Sequence, residues 1–416
     1  MSSQAKLSTP SRLFLSGFFL TNVGNGMYTL AIGQMLYKLT GSVLGYALVV
    51  SSEFIFKLAL QGVSRFDEVD PVRICTRSDT CRAIAMGAAA ILLWQHQPYL
   101  GIALATLAIN VFKPFYISAT FRFASQINRP SQLERYNAGF LTAKQSGYLL
   151  GIGCYGLVLH ELAPQWVILL NLASYVAMLT VLLSMRRHIP LAPTPAVRLA
   201  GIGAGWRYTF MLMRDRMLTR QAILASHDPL LLYLLSLFVL SASQLRFGRN
   251  PSAFAWLEGS LVIGAALSAV LVRLKGWQDA ARTQWLRLAA AEAVLLAALF
   301  AVRNLALACT VLMALGAVSS TGASCHLAGL MRQAAGHSRG RIASFQLLIM
   351  STAMLVSLPL FSWWLDTSLS TSLLYPLALV AVFLLLLLRA RSGAVSRHAV
   401  QSSSPAGCRP QTGSRL

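Results

Sequence analysis

Long apolar runs, each ended by a short polar or basic stretch, recur along the chain from Leu13 to Leu388. Many approach the ~20 residues that a helix needs to cross a hydrocarbon core. Stretches such as "LALVAVFLLLLL" do not alternate apolar with polar positions, so they read as helices rather than barrel strands. The pattern predicts an all-α polytopic membrane protein with twelve transmembrane helices. The spans fall at roughly 13–37, 41–61, 79–95, 99–121, 137–159 and 165–185, then 218–241, 253–273, 285–302, 305–328, 342–363 and 371–389.

Polar stretches divide the chain further. A short segment, 1–12, precedes a first six-helix bundle at 13–185, and a basic linker at 186–217 leads to a second bundle at 218–391. The Ser-, Gly- and Pro-rich tail, 392–416, has the composition of a disordered cytoplasmic segment. Within the linker, "IPLAPTPAVR" precedes "GWRYTFMLMRDRM", whose aromatics and arginines suit a helix lying at a membrane interface. Six spans, a long basic connection and six more imply two structural repeats around a central path. The apolar run that follows the short polar start reads as a retained first span rather than a cleaved signal peptide.

Composition agrees and excludes other classes. Hydrophobic residues make up 56% and charged residues 12%, about half the share in soluble proteins, with mean hydropathy +0.60. A formal charge of +22 would suggest nucleic acid in a soluble chain, but its placement gives it another meaning. With the N-terminus inside, 28 of the 35 lysines and arginines fall in segments on that same side. That is the bias that holds loops and both termini in the cytoplasm beside anionic lipids. Nucleic acid is therefore not an expected partner, and a monomer is expected. The six cysteines form no CxxC pair, so neither a disulfide framework nor a metal site is expected. No Walker A, HExxH or GxSxG sequence is present, which argues against ATP-driven or hydrolytic chemistry and against a bound cofactor.

One stretch breaks the pattern. "LQGVSRFDEVDPVRICTRSDTCRA", 60–83, holds Asp67, Glu68, Asp70 and Asp79 from a total of 13 acidic residues, interleaved with four arginines. Positive-inside arginines alone would make it a solvated turn, yet topology does not require the carboxylates.

Ionisable residues inside spans are costly, and they are the natural functional candidates. His227-Asp228-Pro229 lies mid-membrane if the seventh span starts near Leu218, where Asp and His could exchange protons. If that span starts at 229, Asp228 and Pro229 merely open a helix at its inner end. Glu53 and Lys57 share one face of the second span, as a neutralised structural pair or as part of a site. Lys113 and Lys144 add cations at depth in the same half, which would favour an anionic substrate. Glu292 is a lone acid deep in the ninth span, and Glu258 stands close enough to the outer end of the eighth for solvation. His326 fits a satisfied core histidine better than a site.

Four passages carry a resemblance. "FFLTNVGNGMYTLAIGQMLYKLTGS", "KPFYISATFRFASQINRPSQLERYNAGFLTAKQSGYLLG", "GWRYTFMLMRDRML" and "SAFAWLEGSLVIGAAL" resemble, in order and spacing, the major facilitator superfamily. Within it they are similar to the bacterial enterobactin-exporter-like and drug efflux group. The resemblance runs from about Phe14 to Leu388 and implies a multi-pass transporter of the bacterial inner membrane, not an enzyme. It implies export of a small metabolite, such as a siderophore, by proton-coupled alternating access. Multidrug efflux, uptake and a transport-inactive sensor are the alternatives.

The charged stretch at 60–83 occupies the place of that family's signature loop. Gly62, Arg65, Asp67, Asp79 and Arg82 are its conformational-latch candidates, with Ser64 where an Asp is expected. The resemblance and the buried charges together assign proton-coupling candidates, Asp228, His227, Glu53 and Glu292. They also assign substrate-binding candidates, Lys57, Lys113, Lys144, Asn25 and Glu258. Asn25 stands where relatives often carry an acid. "GYLLGIGCYG" resembles an antiporter motif, with Ile152 in place of its proline.

Overall fold

The computed structural model describes residues 7–60, 70–128, 130–156, 161–186, 204–247, 251–273, 282–333 and 339–387. Its elements are α1 (Thr9–Thr40), α2 (Leu44–Leu60), α3 (Pro71–Trp94), α4 (Pro98–Ile127), α5 (Pro130–Cys154) and α6 (Pro164–Arg186). After the linker come α7 (Ala204–Met213), α8 (Arg216–Leu245), α9 (Pro251–Arg273), α10 (Arg282–Ala301), α11 (Leu305–Gln333) and α12 (Arg339–Thr367). The short α13 (Leu369–Ser372) leads through a turn into α14 (374–387). Among the described residues no strand occurs. Six stretches, Pro98–Ile117, Pro164–Met185, Arg216–Leu245, Leu305–Leu327, Phe345–Thr367 and Leu369–Leu387, are long and apolar enough to cross a membrane.

Local chemistry sets several helix ends. Asp70 accepts a hydrogen bond from Val72 N at 3.0 Å and Pro71 follows it, so α3 begins eight residues before the expected start of its span. One acid of the charged stretch is thereby accounted for as a helix cap. Asp215 caps α8 in the same way, accepting from Met217 N at 2.9 Å and Leu218 N at 3.1 Å. That cap decides between the two placements of the seventh span. His227, Asp228 and Pro229 lie inside a helix, three turns from its start. α1 ends at Gly41, whose φ of 67° provides the left-handed turn into α2.

Packing repeats between α1–α6 and the six long helices α8, α9, α10, α11, α12 and α14. In each set the first helix packs on the fifth, the second on the fourth, and the third on the fourth. Across the two sets, the second helix of one meets the fifth of the other, α2 with α12 and α9 with α5. A two-fold relation between halves produces this exchange.

The core is continuous at one end of the molecule and divided at the other. One apolar cluster takes Leu30, Tyr46, Phe54 and Ile152 from the first half and Leu234, Phe254, Leu312 and Phe361 from the second. Toward the opposite end the clusters separate. Phe14, Tyr116, Tyr136 and Met185 pack only within the first half. Leu218, Leu330 and Phe345 pack only within the second, as do Leu224, Phe383 and Leu387. Large apolar side chains such as Ile84, Val294, Val356 and Trp363 stand exposed on the outside, as lipid-facing residues do. On α7, Leu212 is buried against Leu218 while Phe210 and Met211 are exposed, the two-faced arrangement expected of the linker helix.

Small residues permit the closest crossings. A Cβ at Gly264 would overlap the Met313 carbonyl oxygen, and one at Gly316 would overlap that of Leu261, so α9 and α11 meet backbone to backbone. At Gly153 nothing lies within 4 Å of an added Cβ. Gly264→Val should therefore destabilise the protein by about 1–3 kcal/mol or more, as overpacking does. Gly153→Ala should leave the melting temperature of the detergent-purified protein close to that of the wild type. Equal melting temperatures for Gly264→Val and the wild type would show that α9 and α11 do not pack this closely.

Candidate functional site

A carboxylate in the first half is held between two ammonium groups. Glu53 on α2 receives Lys57 Nζ on Oε1 at 2.5 Å and Lys113 Nζ on Oε2 at 2.7 Å. Glu53 and Lys57 are buried, and Lys57 Nζ also lies 4.5 Å from the Phe54 ring centroid. Lys113 comes from α4, one position before Pro114, and its side chain is 38% exposed. Lys144 on α5 is exposed yet within electrostatic reach of Lys113, Glu53 and Lys57. Two ammonium groups thus share one carboxylate with Lys144 in electrostatic reach, so the expected run of free cations is partly neutralised.

This cluster sits where the halves meet. Phe54 on α2 packs edge-on against Tyr233 of α8, with centroids 5.3 Å apart. Glu258 on α9 accepts a hydrogen bond from Ser236 Oγ at 2.9 Å and is only 5% exposed. The expectation that it is solvated near the outer end is thereby corrected, because α9 turns that face into the contact between halves. Asn25 lies deeper in the first half, where its Oδ1 accepts from the Tyr175 hydroxyl at 2.9 Å and ties α1 to α6.

The second half gathers acids rather than cations. His227 and Asp228 on α8 meet Glu292 on α10 and Ser319 on α11. His227 Nε2 is 3.3 Å from Glu292 Oε2, and Ser319 Oγ donates to Glu292 Oε1 at 2.6 Å. The His227 ring stacks on Phe383 of α14 at 3.9 Å, and Trp285 and His326 pack beside it. His326 is buried among these rings, and its Nδ1 has no hydrogen-bond partner among the described residues. The sequence pointed to His227 and Asp228 together, but Glu292 is 65 positions from His227 and looked solitary. Only the crossing of α8, α10 and α11 brings the three together.

Of the latch candidates, Gly62, Arg65 and Asp67 lie outside the described residues. Asp79 and Arg82 on α3 form a buried ion pair at 3.2 Å, with Arg82 over the rings of Tyr116 at 5.0 Å and Tyr175 at 5.7 Å. Both rings belong to the first half, so here the pair braces α3 against α4 and α6.

A contact between the halves that the sequence did not signal lies at the continuous end of the core. Asp366, at the end of α12, accepts hydrogen bonds from Ser42 Oγ and from Val43 N, the latter at 2.9 Å. It thus binds the amino end of α2 across the two halves, where backbone N–H groups and the helix dipole favour an anion. Beside it a Cβ at Gly156 would overlap Ala255, so the two halves also touch where α5 ends and α9 begins.

No protein-family model and no curated protein matches the chain. Solved structures match its fold. Among them are a bacterial homologue of the iron transporter ferroportin in an inward-facing state, with 16% identity over 92% of this chain and 99% of that one, at a TM-score of 0.66. The nucleoside transporter NupG matches at 12% identity over 92% and 99%, with a TM-score of 0.68. The peptide transporter POT in complex with sulfate matches at 15% over 92% and 94%, with a TM-score of 0.67. All three are named as transporters, and the chain shares their fold. That meets the expected fold class at the level of architecture.

The Asp366 contact yields a direct test. Asp366→Ala removes the only described carboxylate at the amino end of α2, so the closed end should open more often. With Ala255→Cys as reporter, alkylation by a membrane-impermeant maleimide should speed up several-fold over the same reporter with Asp366 intact. An unchanged rate would mean that apolar packing alone holds this end.

Proposed function

We propose that the chain is a secondary active transporter of the bacterial inner membrane. In this reading its twelve long helices all cross the bilayer as two six-helix repeats, with both termini cytoplasmic. It exports a small anionic metabolite, of which a siderophore is the type, in exchange for protons. The observation that supports the anionic reading is the pair Lys57 and Lys113 on a single Glu53 at the meeting of the halves, with Lys144 in electrostatic reach. A cluster with more lysines than carboxylates in an apolar setting attracts a carboxylate or catecholate and repels a lipophilic cation. This is the feature that favours metabolite export over cationic-drug efflux.

The divided core supports alternating access. Both halves share apolar contacts at the end with Asp366 and pack separately at the other. The positive-inside bias makes the divided end cytoplasmic, so this conformation faces inward. The likeness to the inward-facing ferroportin homologue supports the same orientation, with a TM-score of 0.66 against 0.62 for its outward-facing state. Rocking about the central contact would break the Asp366 bond and bring the separate clusters together.

Proton coupling is assigned to the acidic cluster of the second half. Asp228 and Glu292 are buried within 4.8 Å of one another at their nearest ligand atoms, beside His227. Two such carboxylates cannot both stay charged without a cation between them, so a proton taken up from one side is held until the path reverses. Lys113 and Lys144 offer the substrate a docking point, and the Glu53 carboxylate keeps Lys57 and Lys113 from binding it too tightly to release.

Proteoliposomes separate the two roles. With a catecholate siderophore as probe, Lys144→Gln should raise the half-saturation concentration about tenfold, the equivalent of ~1.4 kcal/mol. Asp228→Asn should abolish uptake driven by a proton gradient while leaving substrate counterflow intact. Gradient-driven flux that survives Asp228→Asn removes this residue from coupling. Siderophore flux absent from the wild type, with a cationic dye carried instead, favours drug efflux.

A further inference from the structure

The acidic cluster of the second half holds more than a proton requires. His227 Nε2 and one carboxylate oxygen each from Asp228 and Glu292 lie within 4.8 Å of one another. The three residues are 8%, 2% and 1% exposed. Asp228 Oδ2 is buried with no hydrogen-bond partner among the described residues, a rare condition for a buried polar atom. Gly322 lets this carboxylate lie close against α11: a Cβ there would come within 2.8 Å of Oδ2 and 3.1 Å of Oδ1. A buried acceptor of this kind, beside a second carboxylate and an imidazole, supplies the donor types that a cation takes.

The surrounding contacts orient the donors. Ser319 fixes one oxygen of Glu292 and so leaves Oε2 turned to His227. Phe383 stacks flat on the His227 ring and sets its plane. Supports of this kind pre-position metal ligands elsewhere. Two donors on a tetrahedral ion with bonds of ~2.1 Å stand ~3.4 Å apart, and His227 Nε2 and Glu292 Oε2 are 3.3 Å apart already.

We propose that His227, Asp228 and Glu292 bind one divalent transition-metal cation, such as Zn²⁺ or Mn²⁺, inside the second half. One imidazole with two carboxylates is a borderline donor set, unlike the all-oxygen sets that Ca²⁺ and Mg²⁺ prefer. With a neutral imidazole the site carries two negative charges in a dry bundle, and a divalent ion cancels both where one proton cancels half. The described contacts of the cluster all run to α10, α11 and α14, so the ion sits beside the central path rather than in it. It is a resident or coupling ion. Six positions along α8, Tyr233 touches Phe54 of the first half, about 9 Å away along the helix axis. Occupancy at His227 and Asp228 therefore acts on the helix that meets the other half.

This inference concerns the cluster on which the proton-coupling reading rests, but equilibrium binding tests it without any flux. Full-length protein in detergent is titrated with Zn²⁺ by calorimetry, and with Co²⁺ by visible absorption. One Zn²⁺ per chain is expected, with ligand-field bands from Co²⁺. Asp228→Asn and Glu292→Gln should each weaken binding at least tenfold, Ser319→Ala several-fold, and Glu161→Gln, in a loop of the first half, not at all. Absence of saturable Zn²⁺ binding by the folded wild type overturns the proposal, as does binding that both carboxylate variants retain. Should those variants misfold, featureless Co²⁺ spectra of the wild type overturn it alone. Proton-driven export without metal binding would leave the transport reading standing, and metal binding without export would leave this one.

Discussion

A carboxylate taken into an apolar helix bundle must be neutralised where it stands, and that constraint organises both halves of this molecule. Stripping the charge of its water costs several kcal/mol even after the surroundings relax. The first half meets the cost with ammonium groups, placing Lys57 and Lys113 on the two oxygens of Glu53. It meets it a second time in the Asp79–Arg82 pair, roofed by Tyr116 and Tyr175. The second half has no such partner for Asp228 and Glu292 among the described residues. His227 and Ser319 hydrogen-bond Glu292, the Asp228 carboxyl lies beside it, and Asp228 Oδ2 has no donor among the described residues. A bundle that withholds a built-in counter-charge leaves room for one that comes and goes.

The same asymmetry bears on movement. Apolar contact joins the halves from the Asp366 end down to Phe54 and Tyr233, and beyond that each half packs with itself. Hydrophobic contact between α2 and α12, and between α5 and α9, is non-directional and tolerates rocking. The Asp366 bond to the amino end of α2 is directional and does not. One charge-assisted contact at the rim can therefore set which state is populated, while the broad apolar surface acts as the pivot. Within the first half, the Glu53 and Asp79 ion pairs tie its helices to one another.

How far the sequence discloses this depends on whether the information is local. Apolar runs, caps and charge bias are local, and they led to helices close to the expected spans. Asp215 and Asp70 were present in the text of the chain, but choosing them as helix starts required knowing that α3 and α8 extend beyond the apolar core into the polar ends. Glu53 with Lys57 was legible because four positions make one helical turn. Its second partner, Lys113, was not, since 60 positions and a helix crossing separate them. Glu292 looked solitary for the same reason, and Gly322 looked like any packing glycine until the Asp228 carboxylate was seen against it. Asp366 had no apolar context to mark it, because its meaning comes from the opposite half.

The two charged clusters also differ in what can reach them. Lys113 and Lys144 keep an exposed face, so a solute entering between the halves can touch them. His227, Asp228 and Glu292 are buried, with Phe383 stacked on the His227 ring and Trp285 and His326 packed nearby. Both clusters report to one contact, since Phe54 follows Glu53 on α2 and Tyr233 follows His227 on α8. Charging or discharging either cluster changes the cost of keeping these helices together. Under alternating access, that shared contact is where the cargo of one half and the ion of the other would sense each other.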